Sequence, residues 1–243
     1  FGVGGDGVIL ICHSDVAAAK MRIFNLDGSE GKMCGNGIRC VGKYLYDNHI
    51  VNSDRISVET LSGIKELTLN IMNGKVYSVR VDMGKAELVP DKIPVLLSGK
   101  SVVNHPVRIG GKQQYITCVS MGNPNCVVMM EEISKNKALH LGPYVENAKC
   151  FPNRINMQLC QIVDEKNIQV EIYERGAGYT FAYGTGACAA AAASHRLGLV
   201  EDAVTVHMHG GDLFIEFEKD GRIFMTGPVV YIGKITVAEQ FFA

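Results

Sequence analysis

Two short glycine-rich segments contain the residue types and spacings best suited to chemistry. Cys34 is followed by Gly-Asn-Gly and Tyr183 by Gly-Thr-Gly, and behind each turn apolar residues recur at helical spacing. We therefore predict that each turn begins a helix. A helix N-terminus exposes unpaired backbone N–H groups and a partial positive charge, which favour a bound carboxylate or phosphate. Two such turns in similar halves of one chain predict a grip on one small anionic ligand.

Cys34 is the residue that this arrangement favours as a base. Its position at the entrance of the first helix makes a thiolate more available. A thiolate beside a bound carboxylate is well placed to remove the proton from the α-carbon. The other seven cysteines form no Cys-x-x-Cys pair and are too sparse for a disulfide framework. We predict that those seven are buried, reduced side chains.

Further polar residues lie where predicted strands end. Asn25 follows the segment Met21–Phe24, and Asn123 follows the apolar stretch Tyr115–Val119. Asn156 closes a turn that begins with Phe-Pro. Amides in these places support a small-molecule site, because binding groups are often carried on loops beside a rigid scaffold.

The composition excludes several classes of protein. The 243 residues are 47% apolar and 20% charged, which is typical of a globular protein and not of a disordered, collagen-like or coiled-coil chain. The net charge of −1 gives no basic field for nucleic acid, and no apolar run approaches a membrane span. No metal-ligand spacing is present, and the glycine-rich start Phe1–Gly7 lacks the Gly-Lys-Ser/Thr ending of a phosphate-binding loop. We expect no nucleic-acid partner, no membrane and no metal.

The rest of the chain predicts mainly strands, because polar and apolar residues alternate between glycine-containing turns. The predicted strands are 55–60, 65–71, 75–81, 167–173, 203–209, 212–218 and 222–226. We also predict helical segments at Glu131–Lys137 and Gly142–Lys149, and a last strand at Val229–Val237 that returns to the first half.

Two halves, each a set of strands wrapped around one helix, form the most economical architecture for this pattern. We assign residues 1–88 with 230–243 to the N-terminal half, which carries Cys34. Residues 89–229 form the C-terminal half, which carries Tyr183.

Six segments, taken in chain order, resemble the diaminopimelate epimerase family. They are Arg22–Glu30, Cys34–Arg39, Met121–Pro124, Phe151–Asn156, Glu174–Gly178 and Gly184–Ala189. The resemblance implies an α+β fold of two pseudo-symmetric halves, each a mostly antiparallel sheet around a central helix, with the active site in the cleft between them. It implies a cofactor-free isomerase that interconverts LL- and meso-diaminopimelate, on the route to lysine and peptidoglycan. It also implies a cytoplasmic location and a homodimer.

The resemblance assigns roles to individual positions. Two cysteines act on opposite faces of the α-carbon in that family, and Cys34 matches one of them while Tyr183 stands in the place of the other. The implied substrate-binding residues are Asn25, Gly35, Asn36, Asn123, Asn156, Glu174, Arg175, Gly184 and Thr185. Glu174 is implied to be catalytic as well, together with Cys34 and Tyr183. The pair Glu174 and Arg175 is implied to bind the distal ammonium and carboxylate of the substrate and to help order the site.

Three positions depart from the family pattern. Tyr183 replaces the second cysteine, Asn125 replaces a usual histidine, and Tyr179 replaces a common glutamate. The family's N-terminal segment, which contains a substrate-contacting asparagine, is also expected upstream of Phe1. A phenol ionises near pH 10 and a thiol near pH 8.5, so Tyr183 is a poor base at neutral pH, although it can serve as an acid.

These departures leave three interpretations open. The chain is a diaminopimelate epimerase with an altered second position, or a one-base racemase or dehydratase acting on another amino acid. The third interpretation is a non-catalytic amino-acid-binding paralogue that keeps the fold. The retained glycine turns and amides favour the epimerase.

Overall fold

The structure of this chain is a computed structural model, and it describes Gly5, residues 7–236 and residues 238–242. Most of the glycine-rich start and the predicted strand's last residue, Val237, lie outside these residues. No helix in the described part of the chain is long and apolar enough to cross a membrane.

The described residues form one large, mostly antiparallel sheet with three α-helices. Strands β1 to β15 are Gly7–Cys12, Ala19–Asn25, Glu30–Gly31, Arg55–Thr60, Gly63–Met72, Lys75–Lys85, His105–Ile109, Lys112–Ser120, Pro124–Met129, Asn156–Asp164, Asn167–Glu174, Gly178–Thr180, Ala203–Met208, Gly211–Phe217 and Arg222–Pro228. Helices α1 to α3 are Gly35–Asp47, Lys135–Glu146 and Gly184–Arg196, and 3-10 turns occur at Pro90–Lys92 and Glu239–Phe242. The strand order is β1-β2-β4-β5-β6-β15-β14-β13-β11-β10-β9-β8-β7, with β3 beside β2 and β12 beside β11.

The strand pairing contains an internal repeat. In the first copy, β1 and β2 form an antiparallel pair, β3 lies beside β2, and β4 runs parallel to β2 after the chain has passed through α1. In the second copy, β10 and β11 form the antiparallel pair, β12 lies beside β11, and β13 runs parallel to β11 after α3. The prediction of two similar halves built around two glycine-initiated helices is therefore confirmed at the level of topology. The division at residues 88/89 and 229/230 stays a prediction.

The two repeated helices are positioned by apolar contacts with the sheet. Helix α1 packs against β4, β5 and β6 through Ile38, Val41 and Leu45, which are buried. Helix α3 packs against strands on several sides, and every residue from Gly184 to Ser194 is buried. A helix that is apolar all round belongs in a core. The short alanine side chains of α3 allow the sheet to approach it closely. The α+β fold class is confirmed.

Two local predictions were wrong. The two helical segments predicted at Glu131–Lys137 and Gly142–Lys149 are one helix, α2, which begins where the Ser134 side chain accepts a hydrogen bond from the Lys137 N–H. Residues 229–236 form no strand: after Pro228 the Val229 N–H still donates to the Tyr77 carbonyl oxygen at 3.1 Å, and the chain then leaves the sheet. The side chains of Val230 and Ile232 are exposed there, so no buried face fixes a strand register.

Candidate active site at two facing helix N-termini

Cys34 caps the N-terminus of α1, as the sequence predicted. Its backbone is extended, and its Sγ accepts a hydrogen bond from the Gly37 N–H at 3.3 Å. The thiol is half-buried, in contrast to the fully buried Cys188, whose pKa is raised by burial to about 12. A partly accessible thiol at a helix N-terminus is placed to contact a ligand bound there.

Tyr183 caps the N-terminus of α3 in the matching position, without a side-chain bond to its own helix. Its ring lies across Gly186, where a Cβ atom would come closer than 3.0 Å to two ring carbons. The phenol oxygen accepts a hydrogen bond from the amide of Asn123, whose N–H groups also reach Thr185 Oγ1 at 3.2 Å. Burial raises the pKa of Tyr183 above its usual value, although the bonds from Thr185 and Asn123 act in the opposite direction. The phenol is therefore protonated at neutral pH and can donate a proton.

The two helix N-termini face each other at close range. A Cβ atom on Gly35 would lie 3.8 Å from the Gly184 Cα, and a Cβ on Gly184 would lie 3.3 Å from Asn36 Oδ1. Beneath both turns lies Met225, whose sulfur would be 3.2 Å from a Gly184 Cβ. A Cβ at position 35 would also lie 3.0 Å from the Met225 Cε, so glycine at both positions keeps the turns clear of the Met225 side chain. The structure thus brings Cys34, Gly35, Asn36, Tyr183, Gly184 and Thr185 together.

A buried arginine that the sequence analysis did not select lies under this junction. Arg39 is only 8% exposed, and its Nη1 donates to the Gly35 carbonyl oxygen and to Asn36 Oδ1, both at 3.2 Å. Its Nε has no hydrogen-bond partner among the described residues, and burial lowers its pKa from the ordinary value. A guanidinium remains charged even so. The signal was available in the sequence: Arg39 is the one charged residue on the otherwise apolar buried face of α1.

Asn156, Glu174 and Arg175 form a second group, at the start of β10 and the end of β11. Asn156 Nδ2 donates to the Pro124 carbonyl oxygen at 2.8 Å, and its Oδ1 accepts from the Arg175 N–H at 2.9 Å. Glu174 Oε1 accepts from the Thr180 hydroxyl at 2.6 Å. The side chain of Asn156 therefore connects two loops, which places Arg175 at the exposed rim of the site.

Glu146 and Arg154 stabilise this rim. Arg154 lies in the turn Phe151–Asn156 that resembles the family, whereas Glu146 was not selected from the sequence. The Glu146 side chain is 8% exposed, and its Oε1 accepts from Arg154 Nη1 at 3.0 Å and from the Gly176 N–H at 2.9 Å. The carboxylate thus joins α2 to both loops. Because it lies on a separate helix and acts through loop backbone, its spacing in the sequence carries no signal.

Asn25 makes its side-chain hydrogen bond outside this network. It ends β2 and is exposed, and its amide donates to Ser29 Oγ at 3.0 Å within the following turn. Its backbone N–H also donates within this turn, to the Ser29 carbonyl oxygen at 2.9 Å. Its contact with a substrate stays a prediction.

The three departures from the family pattern have different surroundings. Asn125 is fully buried and donates to the Asn123 carbonyl oxygen at 2.9 Å, so it belongs to the same network as Tyr183. The Tyr179 hydroxyl donates to Glu171 at 2.6 Å, and its ring packs against a second apolar core around α2. Tyr179 thus packs against the core around α2, while Tyr183 packs against the core that contains α1 and α3.

The prediction that the remaining seven cysteines are buried holds for Cys118, Cys126, Cys160 and Cys188. It was wrong for Cys40, which is exposed on the outer face of α1, and Cys12 and Cys150 are half-buried. No group of three or more metal-ligating side chains occurs within the residues that the structure describes.

Comparison with known proteins gives a consistent assignment. The family model of diaminopimelate epimerase matches residues 1–89 and 117–232. A diaminopimelate epimerase of Desulfitobacterium hafniense is 45% identical over 240 residues, which cover 99% of this chain and 85% of the relative. One from Methanococcus maripaludis is 45% identical over 240 residues, covering 98% of this chain and 87% of the relative.

Solved structures resemble the chain in fold. A probable proline racemase from Agrobacterium radiobacter superposes with a TM-score of 0.72 at 16% identity, covering 96% of this chain and 75% of that one. A phenazine biosynthesis protein of the PhzF family from Bacillus anthracis gives a TM-score of 0.64 at 16% identity, covering 96% and 85%. At such identities these matches show the fold alone. The sequence matches favour the epimerase interpretation over the two alternatives, and the chain belongs to the diaminopimelate epimerase family, whose members are isomerases.

Proposed function

We propose that this protein inverts the α-carbon of diaminopimelate and so interconverts the LL and meso isomers. The observation that carries the proposal is the pair of facing helix N-termini, one capped by Cys34 and the other by Tyr183. Family membership supports the same substrate. An α-carboxylate held between the two turns would present opposite faces of its α-carbon to the two capping residues.

The chemistry consists of two proton transfers. The Cys34 thiolate takes the α-proton, and the C–H electron pair moves into the carboxylate to give an enolate-like carbanion. The Tyr183 O–H then gives its proton to the opposite face, which leaves a phenolate. The thiol and the phenolate return to thiolate and phenol by proton exchange with water. The positive helix ends and the charge of Arg39 stabilise the developing anion, so the proposal requires no cofactor.

The remaining predicted residues have supporting positions in the proposal. Asn36 and Thr185 line the carboxylate grip from the two helices, and Asn123 holds the phenol. Glu174 and Arg175 bind the distal ammonium and carboxylate, and Asn156 orients Arg175. Asn25 contacts the substrate from the β2 end.

The test is incubation of the protein with each isomer in deuterated water. We expect inverted product that carries one solvent deuterium at the α-carbon. Cys34→Ser should lose both inversion and exchange, while Cys150→Ser, a half-buried thiol that packs against the second core, should retain both. Absence of inversion and exchange in the parent protein, or their persistence in Cys34→Ser, would contradict the proposal.

We also propose that the protein works in the cytoplasm, as a homodimer, on the route to lysine and peptidoglycan. Eight free cysteines suit a reducing compartment. An apolar groove of about 320 Å³ lies between β1, the outer face of α1 and residues 229–232. It includes the exposed side chains of Tyr44, Tyr231 and Ile232, which supports self-association. Sedimentation equilibrium measures the oligomeric state, and a monomer at micromolar concentration would contradict the dimer.

A further inference from the structure

Two of the three departures from the family pattern meet at one side chain. Asn123 donates to the Tyr183 phenol oxygen, and Asn125 donates to the carbonyl oxygen of Asn123 at 2.9 Å and to its Oδ1 at 3.3 Å. The tyrosine and the asparagine that replace the usual cysteine and histidine are thus linked through a single amide.

The chain of amides continues one residue further into the core. Gln158 Nε2 donates to Asn125 Oδ1 at 3.1 Å, and both side chains have no exposed surface. The other end of this amide, Gln158 Oε1, has no hydrogen-bond partner among the described residues. Burial of an unpaired carbonyl oxygen costs about 1–3 kcal/mol, so the side chain is retained at a cost to stability.

The order of donors and acceptors fixes the direction of each amide. An amide has one donor end and one acceptor end, and its orientation is set by its neighbours. Gln158 donates a hydrogen bond to the side-chain oxygen of Asn125, so the Asn125 N–H groups face Asn123. Asn125 in turn donates to the side-chain oxygen of Asn123, so the Asn123 N–H groups face Tyr183 and Thr185. The side-chain hydrogen bonds of this network therefore run in one direction, from Gln158 through Asn125 and Asn123 to the phenol.

This polarity suits a phenol that gives up its proton. The Asn123 N–H occupies a lone pair of the phenol oxygen, so the phenol's own proton remains for another acceptor. After the proton has moved, the same N–H stabilises the phenolate that is left. A reversed amide would present its oxygen to the phenol and hold the proton back.

We propose that Asn125 and Gln158 are positioning residues that orient Asn123 so that the Tyr183 phenol delivers the proton on the second face of the α-carbon. The inference rests on the proposed function, because it assigns the second acid of that reaction. Cys34 acts on the first face without this network.

Deuterated water separates the two roles. Cys34 alone can remove the α-proton, exchange it for deuterium and return it to the same face, which gives labelled substrate without inversion. Inversion needs Tyr183. The ratio of inversion to exchange therefore reports the second acid, and a general loss of stability lowers both rates together without changing that ratio.

The variants are Asn125→Leu, Gln158→Leu and, as the reference for a missing phenol, Tyr183→Phe. We expect Tyr183→Phe to lower inversion by about 100-fold or more, with exchange within about threefold of the parent. Asn125→Leu should lower the ratio of inversion to exchange by at least about tenfold, since misplacement by about 1 Å is costly. Gln158→Leu should lower it in the same direction and fold normally, because it also removes the unpaired Oε1.

Thr117→Val is the matched control. Thr117 is 1% exposed and accepts a hydrogen bond from the Asn104 N–H, so its loss removes a buried polar contact outside the network. It should leave the ratio unchanged. If the parent protein shows neither exchange nor inversion, the proposed function fails. If the parent is active but Asn125→Leu and Gln158→Leu keep the parental ratio, the function stands and the positioning role is refuted.

Discussion

The Tyr183 ring lies against Gly186, so the contacts of a larger residue at position 186 predict how far stability and activity would change. In Gly186→Ala, the new Cβ would come closer than 3.0 Å to two ring carbons of Tyr183 and within 2.8 Å of Gln158 Nε2. Ordinary contacts of a Cβ begin at 3.4 Å, so the ring and the amide must move. Neither can move freely, because Tyr183 packs against the core around α3, Gln158 is fully buried, and both are held by hydrogen bonds.

Two opposing terms decide the effect on stability. Overpacking a core usually costs about 1–3 kcal/mol. Alanine gains about 1 kcal/mol over glycine inside a helix. The free energy of unfolding should therefore fall by about 1 kcal/mol, which lowers Tm by about 2–4 °C for a chain of this length. Inversion should fall much further, by about 100-fold, because the ring carries the reacting oxygen and a displacement near 1 Å is enough.

The assay combines thermal unfolding with the inversion and exchange rates in deuterated water. The same substitution is made again in Tyr183→Ala, where the ring is absent and the helix gain should offset most of the cost. A coupling of about 1–3 kcal/mol between the two sites is expected. Gly42→Ala in α1 is the control, since its Cβ would press on apolar side chains away from the site, Leu69 Cδ2 at 3.0 Å and Leu67 Cδ1 at 3.2 Å. It should leave the ratio of inversion to exchange unchanged. Equal stability changes in both backgrounds, or unchanged inversion in Gly186→Ala, would refute the reasoning.

Three further predictions concern charge and pH. Burial keeps Tyr183 protonated until above about pH 10, so kcat/KM for inversion in the parent should not fall at alkaline pH below that value. In Tyr183→Cys the fall should begin nearer to about pH 8.5, the ordinary pKa of a thiol, and a pH profile of kcat/KM measures both. Arg39→Met should change the free energy of unfolding by no more than about 1 kcal/mol, since the loss of two hydrogen bonds is offset by removal of a buried charge with an unpaired Nε. It should lower the rates of both exchange and inversion about tenfold or more. Denaturant titration measures the first effect and the deuterium assay the second, and an unchanged exchange rate would count against a role for this charge. Arg154→Met should lower the free energy of unfolding by about 1–2 kcal/mol, because it leaves the buried Glu146 carboxylate without its ion-pair partner. Glu146→Gln should lower it by less than about 1 kcal/mol, because the half-exposed Arg154 can be hydrated instead. The reverse order in denaturant titrations would contradict this explanation.

The repeated turns were readable from the sequence because their signals are local. A cysteine or tyrosine followed by Gly-x-Gly and a run of apolar residues at helical spacing specifies a helix start, and both helices begin at the predicted residues. The seven strands predicted by range match observed strands with ends that differ by four residues at most, since alternation and glycine turns act within a few residues. The strands β7, β9 and β10 were not predicted. The single helix α2 was divided in two because Pro143 in its interior reads as a break.

The sequence by itself therefore determined the fold, the family and the two helix ends that carry Cys34 and Tyr183. Tertiary structure decided which distant groups serve them. Arg39 lies under the junction only because β15 and α3 close over the buried face of α1. Asn125 is joined to Tyr183 only because α3 packs against β8, β9 and β10, which places the phenol beside Asn123, two residues from Asn125. Hydrogen bonds and buried charges depend on distances in space, and residues 58 positions apart in the chain acquire such distances only when the sheet has formed.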